Sequence, residues 1–515
     1  MKNFLASIEK LQSKHLYLIL IAFSAILALR IQWIQHGWIT SDTVLYFESA
    51  RLIALGEFKA ATQVFNWPLY SLCMAAVHKL TNLSIHHSAQ VLSIVFFAIT
   101  TVSFVKIIAL GGGNKKTMLA GALILFSSLY IVGDVLEMLI RDQGFWACFL
   151  TSLVFFIHFK INHQYKAAFL WQIFAILATL FRIEAIMYLL FLPVSLLLDA
   201  SHSWQHRVRL FIKCHFLNII AGLSIILALN LNHQLSMKNF GRLQEVFSSK
   251  VHNELTHQLL AKSQIMSEQV LGQSLEEFAV ISLLLTFMSI MIVKAISTTG
   301  IVNIALAALS TTQKKMISPP VAAVLKATIV IALITMGLIL TKVFCLTGRY
   351  VVALAFILMI LAAFQLGKLL TQYSQNKIQK KQLVAAIYLI LIFMLGSMIK
   401  NVWPKAEGYN FKQDAVAWVK ANNLNHEPVL YNESRMRYYA DEKFIGSWPM
   451  NWDMIQQIIN NGEIDQYKYL LINYSQKEIY KIDNIKSQLK NHVITEKISD
   501  AKGKKGVLIF EKTKE

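Results

Sequence analysis

The apolar residues of this chain come in blocks of about 17–23, separated by short charged stretches, and a block of that length is what a helix needs to cross a bilayer. About eleven such blocks occur, near 16–35, 89–110, 117–133, 143–160, 166–181, 183–199, 209–231, 277–297, 321–342, 350–369 and 383–400. Only Phe181-Arg182-Ile183-Glu184 divides the fifth from the sixth, which predicts a tight turn there. After about 401 the pattern changes. Residues 414–419 have helical spacing, 428–431 are strand-like, 454–459 are helical again, and 469–472 and 507–510 read as further strands. The expected architecture is an α-helical polytopic membrane domain over 1–400, with outer loops near 36–88 and 232–276, followed by a small soluble α/β domain over 401–515.

The first of those loops is the more informative. Thr40, Ser41 and Asp42 offer N-caps, Tyr46, Ala50, Ile53 and Ala54 repeat at helical spacing, and Gly56 ends the helix. A second helix is expected to start at Pro68, and Trp38, Trp67 and Tyr70 suit headgroup depth. These helices are expected to lie on the outer surface. The second loop, with Asn239-Phe240-Gly241-Arg242, reads as a long connection with helical content through about 270.

Composition sharpens the picture. A chain of 515 residues that is 56% hydrophobic, with mean hydropathy +0.50, is too apolar for a soluble protein. Its net charge of +20 would suit a nucleic-acid binder, but the distribution excludes that reading. The basic residues collect on alternate loops: Lys2, Lys10 and Lys14; Lys115 and Lys116; Lys160 and Lys166; Arg207, Arg209 and Lys213; Lys314 and Lys315; Lys377, Lys380 and Lys381. This is the positive-inside pattern, so the N-terminus is expected in the cytoplasm and, after an odd number of spans, the C-terminal domain in the periplasm or outside. The first block lacks a small-residue cleavage site and is expected to stay as an anchor. Cys73, Cys148, Cys214 and Cys345 have neither metal-like nor disulfide-like spacing and read as small buried hydrophobes.

Three arginines run against the orientation bias. Arg141, Arg182 and Arg349 fall at the outer ends of spans, beside Asp142, Glu184 and Tyr350. Guanidinium binds phosphate bidentately, so a phosphate or pyrophosphate at the outer interface is the natural partner for the set. Taken singly, Arg141 and Arg182 could pair with carboxylates inside the bundle or snorkel to the headgroups, whereas Arg349 has no carboxylate within two residues and so no local salt bridge to account for it. Asp42 has two readings as well, an N-cap or a general base held where partial desolvation raises its pKa. Asp134, Glu137 and Asp142 form a second acidic group, in which a solvated loop face accounts for Glu137. His86 and His87 lack a third ligand at recognisable spacing and are read as interfacial, with no metal site assigned.

In order and sidedness these residues resemble the GT-C membrane glycosyltransferases that use polyprenyl-phosphate sugars, such as protein O-mannosyltransferases and lipid A aminoarabinose transferases. The family pattern of an outer Asp, a Tyr four residues on, then Ala, Gly and a Pro-Leu-Tyr helix is similar to Asp42, Tyr46, Ala50, Gly56 and Pro68-Leu69-Tyr70. Arg141-Asp142, the pair Arg182 and Glu184, and Gly348-Arg349-Tyr350 look similar too. The resemblance implies inverting transfer of a hexosyl or pentosyl group to a glycan, lipid or protein acceptor at the outer face of a cell inner membrane, as in lipopolysaccharide modification. Asp42 would be the base; Arg349, Arg141, Arg182 and Tyr350 would hold the donor phosphate; Tyr46, Asp142, Glu184 and Tyr70 would support them. Two positions depart from the pattern. Thr43 stands where many relatives have a second acid, which weakens any divalent-metal role, and Asn66-Trp67 stands where some have a phosphate-contacting Lys. A transporter or flippase of a lipid-linked sugar, or a non-catalytic envelope protein of the same fold, are the competing readings.

Overall fold

The structure, a computed structural model, describes residues 1–231, 249–313, 316–378, 380–442 and 452–513. Lys314, Lys315 and the stretch Asn239-Phe240-Gly241-Arg242 lie outside the described residues. Among the described residues, seven helices are long and apolar enough to cross a membrane: Ser13–Ile34, Ile85–Leu110, Asp142–Asn162, Ser274–Thr299, Pro319–Val343, Gly348–Ser374 and Lys381–Val402. An eighth span is counted if Lys115–Phe126 and Leu129–Val135, bent by 43° at their junction, are one. Asn401 serves that break. Its side-chain amide donates to the carbonyls of Phe126 (3.4 Å) and Ser128 (3.2 Å), which flank the bend.

The predicted blocks are helical, but they do not all make spans. Tyr165–Phe181 has 17 residues, and Ile183–Leu197 is broken at Pro193 into short pieces. At about 1.5 Å per residue these cover roughly 22–26 Å, less than a hydrocarbon core of about 30 Å. A further apolar helix, Ile301–Thr311, was not expected from the sequence pattern. Counting spans therefore does not fix the side of the C-terminus, which rests on loop charge alone.

The chain divides into two compact units, one formed by residues 1–31, 89–137 and 141–402, the other by 32–88, 138–140 and 403–515. The first outer loop thus groups with the C-terminal tail. In that second unit the Ile39 amide donates to the Tyr439 hydroxyl at 3.1 Å, and the Asn410 side chain donates to the carbonyls of Gln35 (3.1 Å) and His36 (3.2 Å).

The tail forms a four-stranded sheet of β1 (Val429–Tyr431), β2 (Tyr469–Ser475), β3 (His492–Ser499) and β4 (Lys505–Lys512) in the order β1-β2-β4-β3. The first pair is parallel and the others antiparallel, with Leu430 opposite Leu470 and Leu470 opposite Phe510. Alternate residues feed opposite faces: Leu470, Ile472 and Phe510 pack with Ile455 and Ile482, whereas Leu471 and Ile509 pack with Val416 and Val419. Strand β3 was absent from the sequence reading. It is an edge strand with a mostly solvated face and a bulge between Ile494 and Glu496, so its hydrophobic alternation is broken.

Candidate active site

Within the first unit, three helix ends bring opposite charges together. Asp142 opens the helix Asp142–Asn162 and is fully buried. Arg182 lies in the extended link between Tyr165–Phe181 and the turn Ile183–Ala185, and Arg349 sits in the first turn of Gly348–Ser374. Arg349 grips Asp142 bidentately, Nε to Oδ1 at 3.1 Å and an Nη to Oδ2 at 2.7 Å. Arg182 donates to the same carboxylate from one Nη, and its Nε and other Nη reach Glu184 at 3.3 and 3.1 Å. Its guanidinium also lies 4.7 Å from the centre of the Tyr350 ring. Arg141 occupies the N-cap position of the Asp142 helix, and its charge acts on both Asp142 and Glu184. Three guanidiniums thus gather around a buried carboxylate. Gly348 is required here: a Cβ at that position would stand 2.4–2.6 Å from the Tyr130 ring and hydroxyl.

Five of the expected site residues, Asp142, Arg182, Glu184, Arg349 and Tyr350, are therefore assembled by the fold, with Arg141 adjacent. Two inferences need correction. Arg349 has no carboxylate near it in sequence, yet Asp142, 207 positions earlier, pairs with it. Glu137 is 6% exposed, so a solvated loop face does not account for it, whereas Asp134 is exposed.

Asp42, Tyr46 and Tyr70 belong to the second unit. There the helix Ser41–Ala54 is capped by Thr40, whose hydroxyl accepts from the Thr43 amide at 3.2 Å while Thr43 Oγ1 accepts from the Thr40 amide at 3.3 Å. Thr43 also donates to the Met138 carbonyl at 2.8 Å. The capping role considered for Asp42 is thereby filled by its neighbours, and Thr43, a departure from the family pattern, has a structural task. Asp42 is left half-buried in the first turn, where the helix dipole favours a carboxylate. Gly56, at φ +85°, ends the helix as expected, and the extra turn Phe58–Val64 precedes the helix Leu69–Thr81. Tyr46 and Tyr70 are buried edge to face with ring centres 5.6 Å apart, so they lock these helices together.

The same unit holds a second charged cluster that the sequence reading missed. The Glu433 carboxylate accepts from Arg435 Nε at 2.5 Å and lies 3.2 Å from Lys412 Nζ. Burial drives the Lys412 pKa down to about 8, with Arg435 adding to the effect and Glu433 opposing it. Lys412 and Arg435 line a cleft of about 420 Å³ together with Trp38, Tyr409, Asn410 and Gln413. Glu433 and Arg435 are two positions apart at the start of one short helix, but no local signal ties them to Lys412, which lies on another element.

No protein-family model matches the chain, and no curated protein matches it. Among solved structures it is similar to the archaeal oligosaccharyltransferase AglB from Archaeoglobus fulgidus, in complex with an inhibitory peptide and a dolichol-phosphate. That match has a TM-score of 0.52 at 10% identity and covers 96% of this chain and 74% of AglB. It is also similar to the arabinofuranosyltransferase AftD from Mycobacteria, with a TM-score of 0.50 at 11% identity over 96% of this chain and 41% of AftD. At such identities the likeness is one of fold: this multi-pass membrane chain shares the fold of these two proteins.

Proposed function

We propose that the chain is an inverting glycosyltransferase that moves a sugar from a polyprenyl-phosphate donor to an acceptor at the outer face of the membrane. The observation that carries this reading is the cationic cluster of Arg141, Arg182 and Arg349 around buried Asp142, built from helix ends in a GT-C fold. A leaving phosphate develops charge as its bond to the sugar breaks, and guanidiniums already fixed in position stabilise that charge without reorganising. The AglB structure contains a dolichol-phosphate, which is the class of lipid the reading requires.

In the proposed step an acceptor hydroxyl attacks the anomeric carbon. The new carbon–oxygen bond forms as the bond to phosphate breaks, and the electron pair leaves on the lipid phosphate. The hydroxyl proton passes to Asp42, in the first turn of the helix that Thr40 caps. Aromatic faces and amides in the cleft of Trp38, Tyr409, Asn410 and Gln413 suit a sugar-bearing acceptor. A transporter would be expected to carry paired broken helices in matching halves, and the described residues contain one bent pair.

Membranes holding the wild-type protein should transfer radiolabelled sugar from a defined polyprenyl-phosphate donor, and Asp42→Asn membranes should not. Equal label in both would remove Asp42 from the chemistry, and absence of transfer with every donor tried would sink the enzyme reading. The outer side is tested separately. A reporter fused after residue 515 should be active only outside the cytoplasm, as the basic loops require.

A further inference from the structure

Two helix ends on the basic-loop side of the first unit gather His163, His202 and His206. His163 follows the last residue of Asp142–Asn162 in the left-handed conformation, φ +54°, which sets the direction of its ring. His202 lies just before the helix Trp204–Leu231 and His206 in its first turn. One potential ligand atom from each lies within 4.8 Å of the others. Ring centres are 5.5 Å apart for His163 and His202, 5.5 Å for His163 and His206, and 4.8 Å for His202 and His206.

Those spacings can be compared with coordination geometry. Three imidazoles bound tetrahedrally to one ion at about 2.0–2.1 Å place their ring centres about 5.2 Å apart. The observed triangle brackets that value, so rotation of the rings, with little backbone movement, would converge their nitrogens. The backbone is already held: Arg207 Nε donates to the His202 carbonyl at 2.7 Å, and Lys213 Nζ donates to the His163 carbonyl. A second observation points to a ligand. The Nδ1 of His163 makes no hydrogen bond of good geometry among the described residues, so it is available to a ligand.

We propose that His163, His202 and His206 form a site for one late divalent transition-metal ion, best fitted by Zn²⁺, which fastens the end of the Asp142–Asn162 helix to the start of Trp204–Leu231. Three neutral nitrogen donors select zinc, nickel or copper over magnesium or calcium, which prefer oxygen. Asp199, in the same connection and held by Lys160 at 2.7 Å and Ser201 at 2.6 Å, offsets the surrounding positive charge. The site is separate from the candidate active site. Asp142 and His163 stand at opposite ends of a 21-residue helix, about 30 Å apart. The fastening therefore stands or falls independently of the transferase reading.

The test uses the full chain, purified in detergent with an affinity tag that contains no histidine, stripped with chelator and titrated with Zn²⁺. About one equivalent should bind and raise the unfolding temperature, and Co²⁺ in its place should give the intense visible bands of a four-coordinate site. Losing an outer-shell partner already weakens metal binding by about 10- to 100-fold. His202→Ala and His206→Gln should therefore each weaken Zn²⁺ by more than about 100-fold. His163→Asn is the control for folding, because asparagine tolerates the left-handed backbone. It should keep the metal-free unfolding temperature of the wild type and lose the zinc-dependent rise. One equivalent retained at wild-type affinity by all three variants would overturn the proposal, as would a wild type that binds no zinc at micromolar concentration.

Discussion

Each unit of the molecule contains a carboxylate between two cations, and the two arrangements behave differently. In the membrane unit Asp142 stands between Arg182 and Arg349; in the other, Glu433 stands between Lys412 and Arg435. Arginine keeps its charge at any accessible pH, so the Asp142 cluster is a fixed charge set into the helix ends. Lysine yields its proton when desolvated, so the Glu433 cluster can change charge state as pH rises. Exposure separates them further: Asp142 is 0% exposed and the Glu433 side chain 11%. A permanent charge suits an electrostatic task, and a titrating one suits a structural joint that tolerates adjustment.

The sharpest way to break this comparison is to remove each central carboxylate. Asp142→Asn leaves two guanidiniums near a buried amide, and breaking a buried pair by removing one partner costs about 3–5 kcal/mol. Thermal unfolding in detergent should show the loss, and transfer should fall with it. Glu433→Gln should cost less, because the Glu433 side chain keeps 11% exposure where Asp142 keeps none. Equal destabilisation by the two substitutions would mean that burial does not distinguish the clusters.

Asp42 belongs to neither cluster and separates chemistry from scaffold. General-base catalysis contributes about 10²–10⁴-fold, so Asp42→Asn should cut transfer by that order while leaving the unfolding temperature almost unchanged. Thr40→Ala should do the reverse, at about 1 kcal/mol of stability, since Thr40 carries the cap. If Asp42→Asn destabilises the protein as much as Thr40→Ala, the division of roles at this helix end is wrong. Smaller again is the effect expected at Arg349, the side chain that is 26% exposed where Arg182 is 4%. A charge-assisted hydrogen bond to phosphate is worth about 1.5–3 kcal/mol, so Arg349→Ala should weaken donor binding by roughly 10- to 150-fold. Arg349→Lys should restore only part of it, lacking the bidentate fork. Unchanged affinity for a defined polyprenyl-phosphate sugar would move the phosphate site towards Arg141 and Arg182.

How much of this was legible follows from the range of each signal. The helices could be read because a bilayer imposes its thickness locally on composition, and Arg141, Arg182 and Arg349 stood out against loop charge. Arg182 and Glu184 are two positions apart, so their pairing was visible as well. The bond between Arg349 and Asp142 was not, because no local pattern encodes a contact across 207 positions. The same holds for His163 with His202 and His206, and for Lys412 with Glu433, where the fold creates the spacing. Thr43 shows the opposite failure: judged against a family pattern it was a missing acid, whereas its hydroxyl completes the cap of the Ser41–Ala54 helix. Strand β3 escaped notice because an edge strand with one solvated face and a bulge loses the alternation that marks strands.

The last test asks whether the Glu433 cluster does titrate. The Lys412 pKa is lowered to about 8 in the fold, chiefly by burial, against about 10.4 in an unfolded chain. Between these values the unfolded state still holds the proton that the folded state has released, so stability should rise with pH across that window. Below about pH 8 both states are protonated and the contribution is flat. The rise cannot exceed about 1.4 kcal/mol per pH unit for a single group. Other groups titrate in the same range, so the informative quantity is the stability of the wild type minus that of Lys412→Met, measured by denaturant unfolding from pH 7 to pH 10. That difference should be level to about pH 8 and then climb in favour of the wild type. A difference that stays level throughout would mean that Glu433 holds Lys412 charged, and the two clusters would then be fixed charges of the same kind.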